Sequence, residues 1–281
     1  MLTSLIWSSP LLSQPRRTVP KSNKDNLDFV KSYKPRNSKV KHLRILLHGP
    51  VGAGKSSFIN SVDSVLQGRV TGRVPTDATS EKSFTEQYKT YKIHKDQENF
   101  YSVIFNDIMG LETSPDDGVH VEDLKLALRG HVRDGYQFNP KRQMQTGDPS
   151  YNPSPTLDDK VHVLVSVIPA DKVTLLSDEV WKKMREVRLA ARDMGIPQVA
   201  ILTKVEKACA EVKEDINNVY KSRYLKEQVD MFSELLGLPL NCIFLVRNYE
   251  TKNSMNDSIS ALILCALRHM IDYGKDYLKD L

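Results

Sequence analysis

Short apolar runs separated by amphipathic stretches set the pattern of this chain. Ile45 to Leu47, Tyr101 to Phe105, Val161 to Ile168, Val199 to Leu202 and Cys242 to Val246 have strand length and polar flanks. Most lack alternation, as expected of strands buried on both faces of a parallel sheet. Phe84 to Ile93 does alternate in part. With the turn chemistry of His94 to Asn99 and the returning strand at Tyr101, it predicts a hairpin with one wet face. Helical patterns fill the intervals: Ser56 to Gly68, Val119 to Leu128, Asp178 to Met194 (stopped by Gly195-Ile196-Pro197) and Glu206 to Leu236. At the C-terminal end Ile259, Leu262, Ile263, Ala266, Leu267, Met270 and Ile271 form one apolar stripe, which predicts a core-facing helix. Strands alternating with helices predict an α/β fold: a doubly wound, mostly parallel sheet with helices on both faces and ligands at the strands' carboxyl ends.

Two regions break the rhythm. Residues 1–40 carry Pro10, Pro15, Pro20 and Pro35 among many Ser and Lys, with one short amphipathic candidate, Leu27 to Tyr33. They read as a basic, partly ordered extension ahead of a domain spanning 41–281, with the short helix docked on that domain. Residues 111–158 hold one helical pattern and then Gly130, Gly135, Gly147, Pro140, Pro149, Pro153 and Pro155. Such a stretch reads as a long insert or lid and as the surface for a homodimer or protein partner.

Composition narrows the class. Forty per cent apolar and 27% charged residues describe a globular chain. Three scattered cysteines, Cys209, Cys242 and Cys265, lack metal-ligand spacing and suit a reduced, cytoplasmic setting. No apolar run approaches the ~18 residues that a membrane span requires. Leu2 to Leu12 lacks the basic flank of a signal peptide. The charge is uneven. Residues 16–44 hold ten Lys/Arg against Asp25 and Asp28, a local +8, so a chain of net +5 keeps −3 elsewhere. The basic arm reads first as a solvated extension, and second as a contact for acidic lipid or RNA.

The chemistry centres on Gly49-Pro50-Val51-Gly52-Ala53-Gly54-Lys55-Ser56, which fits G-x-x-x-x-G-K-[S/T] between a strand and a helix. Glycines let the backbone curl until its N–H groups point at phosphate oxygens, and the helix N-terminus adds positive dipole. Gly49, Gly52, Ala53, Gly54, Lys55, Ser56 and Ser57 are therefore candidate phosphate-binding residues. Lys55 is placed for the β- and γ-phosphates, and the Ser56 hydroxyl for Mg²⁺. The fold expectation sharpens to a phosphate-loop nucleoside triphosphatase of GTPase type.

Three further pieces fall in GTPase order. Asp107-Ile108-Met109-Gly110 is D-x-x-G at a strand end, with Asp107 for Mg²⁺ through water and Gly110 for the γ-phosphate. Thr203-Lys204-Val205-Glu206 matches [N/T]-K-x-D except that Glu206 replaces Asp, which shifts the base-reading carboxylate by about one methylene. An ordinary helix start is the plainer alternative. Arg247 and Asn248 follow the last strand, where base and sugar contacts lie. A switch Thr is needed before the second strand; Thr79 is preferred to Thr76 and, with Lys55, carries the catalytic assignment. Ser56, Thr79 and Asp107 form the metal set. Leu111 stands where a water-orienting Gln would be, so slow hydrolysis is expected; Arg69 and Arg73 are candidate arginines in cis, with a solvated-loop role the plainer reading of both. His120, Glu122 and Asp123 are better explained as one charged helical turn than as a metal site.

The chain resembles the interferon-induced protein 44 / 44-like family of GTPase-like proteins. The resemblance rests on Ser32-Tyr33-Lys34-Pro35, on Arg44 to Asn60 across the phosphate loop, on Ser83-Phe84-Thr85, and on Asp107 to Leu111. It continues in Gly130-His131-Val132-Arg133-Asp134-Gly135-Tyr136-Gln137-Phe138-Asn139-Pro140 and Arg247-Asn248-Tyr249. It covers residue 27 to the C-terminus. It implies a cytoplasmic, interferon-responsive protein of antiviral innate immunity that binds GTP or GDP. Longer members carry a TLDc-type domain ahead of this one, which residues 1–40 are too short to hold. Two other functions stay open: an interaction scaffold with little hydrolysis, motivated by Leu111, Glu206 and the insert, and an adenine-nucleotide site, motivated by Glu206.

Overall fold

The computed structural model describes residues 9–20, 22–76, 86–112, 118–250 and 254–281. Six strands form one sheet: β1 (Leu43–His48), β2 (Lys89–His94), β3 (Phe100–Asp107), β4 (Val163–Pro169), β5 (Gln198–Thr203) and β6 (Ile243–Leu245). Their spatial order is β2-β3-β1-β4-β5-β6, with only β2 antiparallel to its neighbour. β1 and β4 are buried almost throughout because both faces are covered. α2 (Lys55–Gln67) and α8 (Asp257–Lys279) lie on one face; α3 (Val121–Leu128), α4 (Asp178–Asp193) and α7 (Arg223–Leu236) lie on the other. Trp181 of α4 and Phe232 of α7 pack edge to face at 5.8 Å. The fold is the expected α/β architecture.

Boundaries shift for physical reasons. The expected strand from Phe84 narrows to Lys89–His94; Phe84 and Thr85 lie outside the described residues, and Tyr88 pairs elsewhere. The helical stretch from Glu206 breaks at Cys209 into α5 (Val205–Ala208) and α6 (Ala210–Glu214), because Cys209 turns to extended backbone.

Residues 118–158 differ from the open loop suggested by their glycines and prolines. Val132, Tyr136, Phe138 and Met144 are buried. The Asp123 carboxylate, itself buried, accepts hydrogen bonds from Tyr136 Oη at 3.2 Å and Met144 N at 2.9 Å. Tyr88 and residues 135–136 exchange backbone hydrogen bonds at 2.8 Å, and Thr90 N donates to Asp134 Oδ1. The insert thus covers the start of β2, an otherwise open sheet edge.

The described part of the basic extension is docked as well, contrary to a solvated arm. Leu12 N and Arg16 N donate to Lys221 O and Tyr220 O at 2.7 and 2.9 Å. The Arg17 guanidinium stands 3.8 Å over the Phe244 ring of β6 and donates to Asn241 O at 2.7 Å. α1 (Lys24–Ser32) packs on α8, as its amphipathic pattern predicts, with Val30 buried and Arg268 bonded to Asn26.

Candidate functional site

At the carboxyl end of β1 the chain turns through residues 49–54 and enters α2 at Lys55. Gly49 has φ +149°, and a Cβ there would stand 2.0 Å from Val167 O. Only glycine lets the loop leave β1 so close to β4. Gly52, Ala53 and Gly54 continue the turn, with Gly52 and Gly54 at positive φ. Lys55 is buried, and its Nζ donates to the carbonyls of Gly49 at 3.2 Å and Pro50 at 3.1 Å. Burial lowers its pKa, while Asp107 and Glu112 pull the other way. The ammonium therefore sits inside its own loop. The Ser56 hydroxyl donates to the Asp107 carboxylate, which joins α2 to the end of β3. Ser57 holds the helix start through its carbonyl, which accepts from Ser61.

Gly110 lies against the loop: a Cβ there would stand 2.7 Å from Val51 N. Leu111 N donates to Gly49 O at 3.0 Å, and the Leu111 side chain is buried. Glu112 O accepts from Lys183 Nζ of α4 at 2.7 Å. Thr79 lies outside the described residues. The segment leading toward it is clamped on α2. Asn60 bonds both backbone groups of Val74, at 2.7 and 2.8 Å, and Arg73 pairs with buried Asp63 at 3.5 Å. Arg73 is thus turned onto the helix while staying exposed, as Arg69 is.

On the far side of the loop, β5 and β6 deliver the remaining residues. Thr203 Oγ1 donates to Ala53 O at 2.6 Å, and Asn248 Nδ2 donates to Gly54 O at 3.1 Å. Both side chains fasten the loop. Lys204 caps α5 in the left-handed conformation, φ 56°, the one such non-glycine position among the described residues. Burial lowers its pKa. Glu206 Oε2 is buried and has no hydrogen-bond partner among the described residues. Burial raises its pKa, opposed first by a hydrogen bond from its own backbone N–H to the carboxylate and then by Arg247 and Lys207. Beneath the loop, buried His48 bonds Ser166 Oγ at 2.8 Å, and burial pushes its pKa down to about 3.

The sheet thus gathers residues 49–57, Asp107, Gly110, Thr203, Lys204, Glu206, Arg247 and Asn248 at the carboxyl ends of β1, β3, β5 and β6. Oxygen donors cluster at Ser56 and Asp107, a chemistry suited to a hard divalent cation. Glu206 Oε2 is an acceptor without a partner among the described residues. His120, Glu122 and Asp123 form no metal cluster among the described residues, since Asp123 is committed to Tyr136 and Met144. The sequence did not reveal that Asn60 and Asp63 grip the segment before Thr79. Their position on the polar face of α2 was the available signal.

No protein-family model matches the chain. It is 36% identical to human interferon-induced protein 44-like, over 90% of this chain and 56% of that protein. It is 34% identical to chimpanzee interferon-induced protein 44, over 92% and 58%, and 32% identical to the mouse protein, over 91% and 60%. The chain therefore spans less than two thirds of these relatives. Among solved structures, Toc33 of Arabidopsis thaliana, in complex with GDP and Mg²⁺, aligns over 92% of this chain and 94% of its own. The TM-score is 0.48 and the identity 13%.

Proposed function

This chain is homologous over nine tenths of its length to the interferon-induced protein 44 and 44-like family, and on that premise we propose that it binds guanine nucleotide with Mg²⁺ and hydrolyses it slowly. The observation that carries the reading is the buried Oε2 of Glu206, unpartnered among the described residues and set two residues after Lys204 at the end of β5. A carboxylate oxygen withdrawn from water without a donor is costly, and N–H groups on the guanine edge would relieve that cost. Adenine offers its single amino group at a different place.

The other roles follow from position. The loop glycines and Ala53 present backbone N–H groups to the phosphates, and Lys55 exchanges the carbonyls of Gly49 and Pro50 for phosphate oxygens. Ser56, Asp107 and Thr79 form the oxygen set for Mg²⁺, which when bound neutralises phosphate charge. Arg247 flanks the base side, and Asn248 and Thr203 keep the loop in register. Buried Leu111 offers no amide or acid to orient water. That supports slow turnover and a switch role, and it is also what the alternative, an interaction scaffold with little hydrolysis, would show. A cytoplasmic, interferon-linked role in antiviral innate immunity is supported by the relatives' names alone. The division at residue 40, partner binding through 111–158, and acidic lipid or RNA contact by the arm are proposals drawn from the sequence pattern.

Calorimetry with GTP and Mg²⁺ on wild type and Glu206→Gln tests the reading. Binding by wild type that weakens at least about tenfold in the variant supports it. Equal binding by both, or none by either, overturns it.

A further inference from the structure

Tyr249 is buried and is held at both of its ends. Its backbone N–H donates to Ser61 Oγ of α2 at 2.8 Å, across 188 positions of chain. The Ser61 side chain is fully buried, and its hydroxyl donates in turn to Ser57 O at 2.8 Å, one turn back toward the phosphate loop. At the far end of the ring, Tyr249 Oη donates to Asn256 O at 2.7 Å and accepts from Asn256 N at 2.9 Å, with Ser260 Oγ also at 2.9 Å. Asn256 is the N-cap of α8, its side chain accepting from Ile259 N at 3.0 Å. One residue after the last strand therefore joins α2 to the start of α8 through buried, satisfied polar groups.

Arg247 and Asn248 lie between this junction and Val246, whose N–H donates to Leu202 O of β5 at 2.9 Å. Asn248 has an anchor of its own on Gly54 O. The half-buried Arg247 side chain has no hydrogen bond or ion pair among the described residues. Its place is set through the backbone, by what holds residues 246 and 249. We propose that Tyr249, seated on Ser61, is a positioning residue for Arg247 and fixes where that guanidinium meets the nucleoside of a bound nucleotide. The inference rests on the nucleotide reading above. Because Ser61 stands one turn after Ser57, the same junction ties the nucleoside side of the site to the helix that opens at the phosphate loop.

The test is a binding cycle read with a fluorescent GTP analogue displaced by GTP or by inorganic tripolyphosphate. Tyr249→Phe keeps the ring and the Ser61 contact and removes the anchor on α8. It should weaken GTP about five- to tenfold, while tripolyphosphate, which meets the phosphate loop alone, is unchanged. Ser61→Cys, whose thiol is a poorer acceptor, should show the same selective loss, and it decides by the same ratio if Tyr249→Phe melts too low to titrate. In an Arg247→Ala background neither change should have any further effect. Equal losses of GTP and tripolyphosphate would assign the junction to the phosphate loop through Asn248 and overturn the proposal. So would a loss that persists in full in Arg247→Ala. Wild-type GTP binding that weakens in Glu206→Gln but in neither Tyr249→Phe nor Ser61→Cys removes the role of Tyr249 alone. Indifference to Glu206→Gln, or no GTP binding by wild type, removes the nucleotide reading and this inference with it.

Discussion

Thr203 Oγ1 donates to Ala53 O at 2.6 Å, so the last residue of β5 holds the phosphate loop from 150 positions away in the chain. With Asn248 on Gly54 O and Leu111 N on Gly49 O, the loop is tied to the ends of three other segments. Thr203→Val keeps the shape but leaves the Ala53 carbonyl without that donor. It should cost about 1–3 kcal/mol in urea denaturation and loosen tripolyphosphate as well as GTP. Loss of GTP affinity with unchanged stability would instead place Thr203 on the ligand.

Glu206 sets stability against binding. Its folded pKa is raised above the usual carboxylate range by burial, so the folded state loses stability as pH rises through that window. Glu206→Gln removes the ionisation penalty. The nucleotide-free variant should melt higher than wild type at pH 7 while binding GTP less well, as scanning calorimetry with and without GTP would show. A lower melting point for the variant would show that the carboxylate is paired.

Acid should unfold the protein through two histidines. Burial holds His48 at about 3 and His162 at about 4, against 6.5 for the ordinary side chain. Below 6.5 the unfolded chain takes up protons that the folded chain refuses. The stability they contribute is complete above that pH and falls toward pH 4, by ~1.4 kcal/mol per pH unit for each histidine. In the folded state His162 Nδ1 accepts from Arg44 N and Nε2 donates to Leu157 O, both of which Gln can imitate. His162→Gln should remove about half of the slope in urea melts at pH 7, 6 and 5.

How much of this could be read along the chain depends on what each residue does. The phosphate loop, Asp107 to Gly110 and Thr203 to Glu206 were legible because backbone clearance and charge leave few residue types at those positions. Gly49 beside Val167 O and Gly110 beside Val51 N show the constraint directly. The buried parallel strands were legible for a similar reason, since both faces demand apolar residues. The insert was not, because Tyr136, Phe138 and Met144 reach the core from irregular backbone with neither helical nor strand period. Nor was the docking of the basic arm, where one guanidinium spends its charge on an aromatic ring.

That docking gives a prediction of its own. Arg17→Ala deletes the contact with Phe244 and the bond to Asn241 O. It should cost about 1–2 kcal/mol and raise hydrogen exchange in β6 more than in β1. Unchanged exchange in β6 would return the arm to solvent.

The most direct measurement is a parallel titration of the purified protein with fluorescent GTP and ATP analogues in Mg²⁺, beside Lys55→Ala. The account predicts saturable binding that favours GTP by at least about tenfold and is lost in Lys55→Ala. Equal affinity for the two bases, or binding that survives Lys55→Ala, would contradict it.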